Sequence, residues 1–205
     1  MARIKHTKTE LKAQSDSLKR FLRFLPMLQL KKQQLQAEIS AIALRVDEVT
    51  AREQEAHASL AGWVSLFSEP ADSLAQTVTV NRVLTDSSNI AGVAIPVFKG
   101  LDVAVATLDL FATPAWYDDA IGMLTRILAL KAERLVLEKQ RALVASELTT
   151  TSQRVNLFEK VKIPECRDNI RVIKIAIGDE QTASVTRGKI AKSRGKQPND
   201  EEDAA

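Results

Sequence analysis

The sequence predicts a mainly α fold, a long antiparallel two-helix coiled coil whose helices are joined by a small connector containing a β-hairpin. Three observations predict it. Apolar residues recur at steps of three and four along two long stretches, and a β-branched segment lies between them. Aromatic residues make up only 4% of the 205 residues, with seven glycines and six prolines. A compact domain of this length buries more Phe, Tyr and Trp, whereas long helices are rich in Ala, Leu, Lys, Glu, Gln and Arg.

The first helix is assigned to residues 1–67, periodic from about Thr7 to Phe67. Its clearest stretch is Leu28, Leu35, Ile39, Ile42, Val46, Val49, Ala56, Leu60 and Trp63, whose steps of seven, four and three form a heptad seam. Leu18, Leu22 and Leu25 carry the pattern towards the N-terminus. About 60 residues correspond to roughly 90 Å of helix at 1.5 Å per residue. A helix that long needs a partner along its seam. Pro26 removes one backbone donor, so a local kink is expected there.

The second helix is assigned to 114–190. Thr113 suits an N-cap, Pro114 the first helical position, and Asp118 and Asp119 the positive end of the helix dipole. Its apolar positions are Ile121, Leu124, Ile127 or Leu128, Leu130, Leu135, Leu137, Val144, Leu148, Val155 and Phe158, resuming after Pro164 with Ile170, Ile173 and Ile177. Residues 191–205 end in RGKQPNDEEDAA and read as a disordered tail.

Residues 68–113 form the connector, read as a short helix and a β-hairpin. TVTVNRVL (77–84) is β-branched and is followed by the turn cluster TDSSN; IAGVAIPVF (90–98), then KG, then LDVAVATL (101–108) supply one or two further short strands. Gly92 suits a bulge and Pro96 an edge strand. Two long helices around such a connector fold back antiparallel, with the termini together at one end and the hairpin towards the other.

Charge is unevenly spread. Residues 1–35 hold nine basic and two acidic side chains, 154–196 hold eleven and five, 68–120 hold two and seven, and 200–203 are four consecutive acids. Antiparallel folding therefore gives a basic tip and an acidic head.

Catalytic, cofactor and metal sites are all expected to be absent. No GxxxxGK[ST] or GxGxxG occurs. His6 and His57 stand far apart, and a single cysteine, Cys166, excludes both an internal disulfide and a cysteine-based zinc cluster. Asp118 and Asp119 are accounted for by the helix dipole. There is no signal-like N-terminus and no apolar run long enough to span a bilayer, so a soluble protein in a reducing compartment is expected. The basic segments call for an anionic partner, and without interleaved aromatics or a compact DNA-binding motif that partner is protein, not nucleic acid.

The segment QRVNLFEKVKIPECRDNIRVIK (153–174) resembles the C-terminal helix of the D subunit family of A/V-type ATP synthases, which carries an RVN-x-(L/F)-E-x-x-x-IP pattern and then spaced isoleucines. Arg154, Val155, Asn156, Phe158, Glu159, Ile163, Pro164, Ile170 and Ile173 carry the likeness. NIAGVAIPVF (89–98) resembles the family's central segment, TPAWYDDA (113–120) its second-helix start, and Lys8, Leu11, Leu28, Lys31, Lys32 and Leu35 its opening helix. The family usually has a small residue before its Leu-Leu-Lys run, where this chain has Phe24, Leu25 and Pro26. The resemblance implies a central rotor shaft without catalytic residues of its own. The implied partners are the catalytic A and B subunits, the small F subunit and a funnel-shaped stalk subunit, in a cytoplasmic complex peripheral to the membrane. Charge and resemblance together nominate Lys8, Lys12, Arg20, Arg171, Lys174 and Arg187 at the tip, and Asn89, Gly92 and Pro96 in the hairpin, as partner contacts. The rival classes are a prefoldin-like coiled-coil chaperone and a basic nucleic-acid-binding coiled coil.

Overall fold

The computed structural model describes residues 4–62, 77–106, 114 and 116–195. Trp63, the helix end at Phe67, the short connector helix, the Thr113 cap and the tail beyond residue 195 lie outside the described residues. The chain divides into two compact units, one of Leu30–Ser152 and one of Met1–Gln29 with Gln153–Ala205. Helix α1 (Lys8–Ala61) contributes to both. Thr7 starts it by accepting the Glu10 amide at 3.2 Å on its side chain and the Leu11 amide at 3.0 Å on its carbonyl. Pro26 lies inside α1, on its exposed side, and the helix runs through it as one assigned element.

In the unit Leu30–Ser152, every seventh residue of α1 from Leu35 (Leu35, Ile42, Val49 and Ala56) keeps 7% or less of its surface. Helix α2 (Tyr117–Leu157) lays Ile127, Leu130, Leu137 and Val144 against them in two apolar clusters. Full burial of each Leu, Ile or Val among them is worth about 1.5–3 kcal/mol. Polar pairs on the two helices fix an antiparallel register: Lys31 Nζ lies 2.7 Å from Glu147, and Arg134 Nε lies 2.8 Å from Glu53. Glu53 stands where the heptad calls for an apolar residue, midway between Val46 and Leu60. Its carboxylate, helped by Glu138, holds the Arg134 guanidinium proton more firmly than usual. Leu135, read as a seam residue, is 53% exposed. It lies two residues from Leu137, about 200° around the helix, so the two cannot share a face.

The connector supplies two strands: β1 (Val78–Ile90) pairs antiparallel with β2 (Val93–Val105). Three expectations change here. The cluster TDSSN is strand, not turn; Thr85–Asn89 are polar because that part of β1 is exposed. The turn is Ala91–Gly92, with φ of 50° and 85°. Two positive φ values match the type I′ turn that joins strands with native twist. Gly92 is therefore a turn residue. The register irregularities fall at Asn81 and Lys99, where one strand carries an extra residue. VAIPVF, the part of IAGVAIPVF after the turn, and LDVAV belong to one strand, because the Lys99 bulge carries β2 past Gly100 without a break.

The hairpin is not a head beyond the helices in this unit; it lies along them. Its base, Val78 and Val103, packs on Tyr117 and Ile121. Near its tip, Ile95 enters the cluster of Leu35, Ile42 and Val144. Ile121 to Val144 spans about 35 Å of helix. A two-stranded ribbon is marginal alone and needs such a surface. Helix α2 begins at Tyr117, whose amide reaches the Pro114 carbonyl at 3.1 Å, so Pro114 precedes the helix instead of opening it.

In the other unit, the continuous second helix is interrupted. A π-helical turn, Phe158–Lys162, separates α2 from α3 (Ile163–Arg194). The Ile163 amide donates to the Phe158 carbonyl, five residues back. The half-buried Phe158 and the buried Ile163 are also five apart, against the threes and fours around them. Five α-helical residues would overshoot the seam by about 140°. The wider π turn absorbs the extra residue, and Pro164, with no amide to donate, follows at once. Beyond it Ile163, Cys166 and Ile173 are buried. Phe158 meets Phe21 at 5.0 Å between ring centroids, while Leu22, expected in the pattern, is 44% exposed. From Gly178 every residue to Arg194 is exposed.

Candidate functional site

Two surfaces were nominated from the sequence, and each lies within one unit. In the unit holding both termini, Lys8, Lys12 and Lys174 share a shallow groove with Leu11, Ser15, Asp16, Lys19 and Ile170. The start of α1 and the middle of α3 form its walls. Lys19 joins the nominated residues; Asp16 is the counter-charge. Arg20 and Arg171 are exposed and lie outside this lining, with Arg20 donating to Ser17 Oγ at 3.2 Å. Arg187 is not brought into the groove: it sits on the exposed stretch of α3 and donates to its own helix at the Ala183 carbonyl. None of the six nominated cations forms an ion pair among the described residues.

At the hairpin, Asn89, Gly92 and Pro96 have internal tasks. Asn89 Oδ1 accepts the Gly92 amide at 2.8 Å and closes the turn. The Pro96 carbonyl accepts from the side-chain amide of Gln140 on α2, a side chain only 4% exposed. That bond joins the ribbon to the helix. Lys99 bridges the strands to Asp86 at 2.9 Å. Its hydrogen bond, and then that of the Ser87 amide, hold the Asp86 carboxyl below its usual range.

A third surface was missed. Between the hairpin and α2 runs an open groove of about 460 Å³, lined by Val80, Val83 and Leu101 on the ribbon and Leu128, Leu135, Lys131 and Lys139 on the helix. The one sequence signal was the position of Leu135 off the heptad of Leu130, Leu137 and Val144.

Among the described residues no group of three or more His, Cys, Asp or Glu is placed to hold a metal ion. No helix among them is long and apolar enough to cross a membrane. Cys166 is buried, and that burial, with the neighbouring Glu165 adding to it, pushes its thiol up. The arrangement offers surfaces for partners.

A family profile described as the D subunit of ATP synthase matches residues 10–193. The chain belongs to the ATP synthase D subunit family. The V-type ATP synthase D subunit of Borreliella burgdorferi is 47% identical over 195 residues, covering 94% of this chain and 95% of that protein. Proteins of the same name from Chlamydia caviae and Chlamydia trachomatis are 30% and 31% identical, covering 100% and 94% of this chain and 99% and 96% of theirs. The matched residues take in the helices and the hairpin, and of the nominated residues Lys8 alone lies outside them.

Proposed function

We propose that this chain is the central rotor shaft of a V-type ATP synthase, coupling ATP synthesis or hydrolysis in a hexamer of catalytic A and B subunits to ion movement through a membrane ring. The observation that carries this reading is a D subunit match over residues 10–193, almost the full length of the chain. A shaft transmits torque and does no bond chemistry. It needs helices that do not slide along one another, which the cross-helix pairs Lys31–Glu147 and Arg134–Glu53 support. It also needs a surface that slides against its bearing. Exposed lysines without internal partners suit that, because exposed charges attract diffusely and each contributes little.

In this reading the basic groove of Lys8, Lys12, Lys19 and Lys174 faces the interior of the hexamer, with Arg20, Arg171 and Arg187 outside the groove on the same two helices. The hairpin unit faces the small F subunit and the funnel-shaped stalk subunit. The chain is non-catalytic, cytoplasmic and attached to the membrane only through its complex. The test is purification of the tagged chain under mild conditions followed by mass spectrometry. Recovery of the A, B and F subunits is the expected result; recovery of the chain alone, or with nucleic acid, overturns the proposal.

A further inference from the structure

Leu135 keeps 53% of its surface, Val80 41% and Val83 40%, and all three line the groove between the hairpin and α2. Together they give the groove a mainly apolar lining. Its shape narrows the occupant. Leu128, Leu135 and Lys139 lie on one α2 stripe at steps of seven and four, a ridge about 16 Å long. The ribbon forms the opposite wall. A trough three turns long between a helix ridge and a ribbon face accepts one further helix, read through anchors at i, i+4 and i+7.

Its charge narrows the occupant further. Lys131 and Lys139 line the groove eight residues apart, about 12 Å along the helix, and neither has an ion-pair partner among the described residues. The neighbouring acids of α2 are engaged elsewhere: Glu133 lies 3.9 Å from Arg52 and Glu138 lies 2.7 Å from Arg134. The groove is thus apolar in its floor and cationic along its helical wall. We propose that it takes an amphipathic helix of a partner subunit whose apolar stripe is flanked by carboxylates about two turns apart. This rests on the reading of the chain as part of a larger complex, and it adds a surface and a chemistry which that reading does not supply.

The test is Leu135→p-benzoylphenylalanine in the full chain, irradiated in the purified complex, with the cross-linked peptide mapped by mass spectrometry. A cross-link to a helical segment with apolar residues at three- and four-residue steps and flanking Asp or Glu is the expected result. In the same chain, Lys131→Glu with Lys139→Glu should lower the cross-link yield about fivefold, the scale of two reversed surface ion pairs. No cross-link, or one to a basic segment, an extended strand, lipid or a second copy of this chain, overturns the proposal. Recovery of the complex before irradiation separates the two readings: an intact complex without a cross-link removes the groove helix alone.

Discussion

Ile42 has no accessible surface, while Leu44, two residues along the same helix, keeps 65%. The difference is one of phase on the heptad. Ile42→Ala should therefore leave a cavity between α1, α2 and the hairpin and cost about 2–5 kcal/mol. Leu44→Ala should stay within about 0.5 kcal/mol of the parent. Urea denaturation of both variants checks this, and equal midpoints would mean the seam is assigned to the wrong face. Asp86 gives a second residue-scale prediction. Its carboxyl is held low in the folded chain by Lys99 and the Ser87 amide, so the unfolded chain takes up that proton first as pH falls. The contribution of the pair is complete above the ordinary carboxylate range, near pH 4, and fades as pH falls through the lower folded value. Asp86→Asn should make hairpin amide exchange less sensitive to acid than in the parent. An unchanged acid profile would show that the bridge contributes nothing.

At the scale of elements, the π turn has two candidate causes, the five-residue step of the seam and Pro164. The seam argument makes the step decisive, because Phe158 and Ile163 must both face α1. Pro164→Ala alone should then leave the π turn in place. Deleting Lys160 together with Pro164→Ala should give an unbroken α-helix, with the Ile163 amide bonded one residue closer. Amide exchange and chemical shifts over residues 155–170 distinguish the outcomes, and loss of the π turn in Pro164→Ala would assign it to the proline. The sequence showed the two helices clearly, because a heptad signal repeats over many turns and each apolar residue reports on the same face. It showed the hairpin only in outline. Polar residues on an exposed strand look like a turn, and the real turn has only two residues, one of them an alanine at positive φ. The π turn was not read from the sequence: the apolar pattern was broken at Pro164, and Ile163, five residues after Phe158, was left out of it. The basic groove followed from charge counting and antiparallel folding. The apolar groove did not, since its walls come from segments far apart in sequence and exist only once the ribbon lies on α2.

For the whole molecule, the proposed shaft role puts its test at the basic groove. Single Lys→Ala changes at Lys8, Lys12, Lys19 or Lys174 should be nearly silent, since each exposed charge is screened and weak. Reversing all four to Glu should leave the helicity of the isolated chain unchanged and uncouple ATP hydrolysis from ion pumping in the reconstituted complex, more so at low salt. Full coupling in that variant would make the lysines a solvated surface only. The central claim, that this chain is a turning shaft, has a more direct test. With the catalytic hexamer fixed to a surface and an optical probe attached to this chain, addition of ATP should drive continuous rotation of the probe in one direction. A probe that stays still, or only jitters, while the same complexes hydrolyse ATP would contradict it.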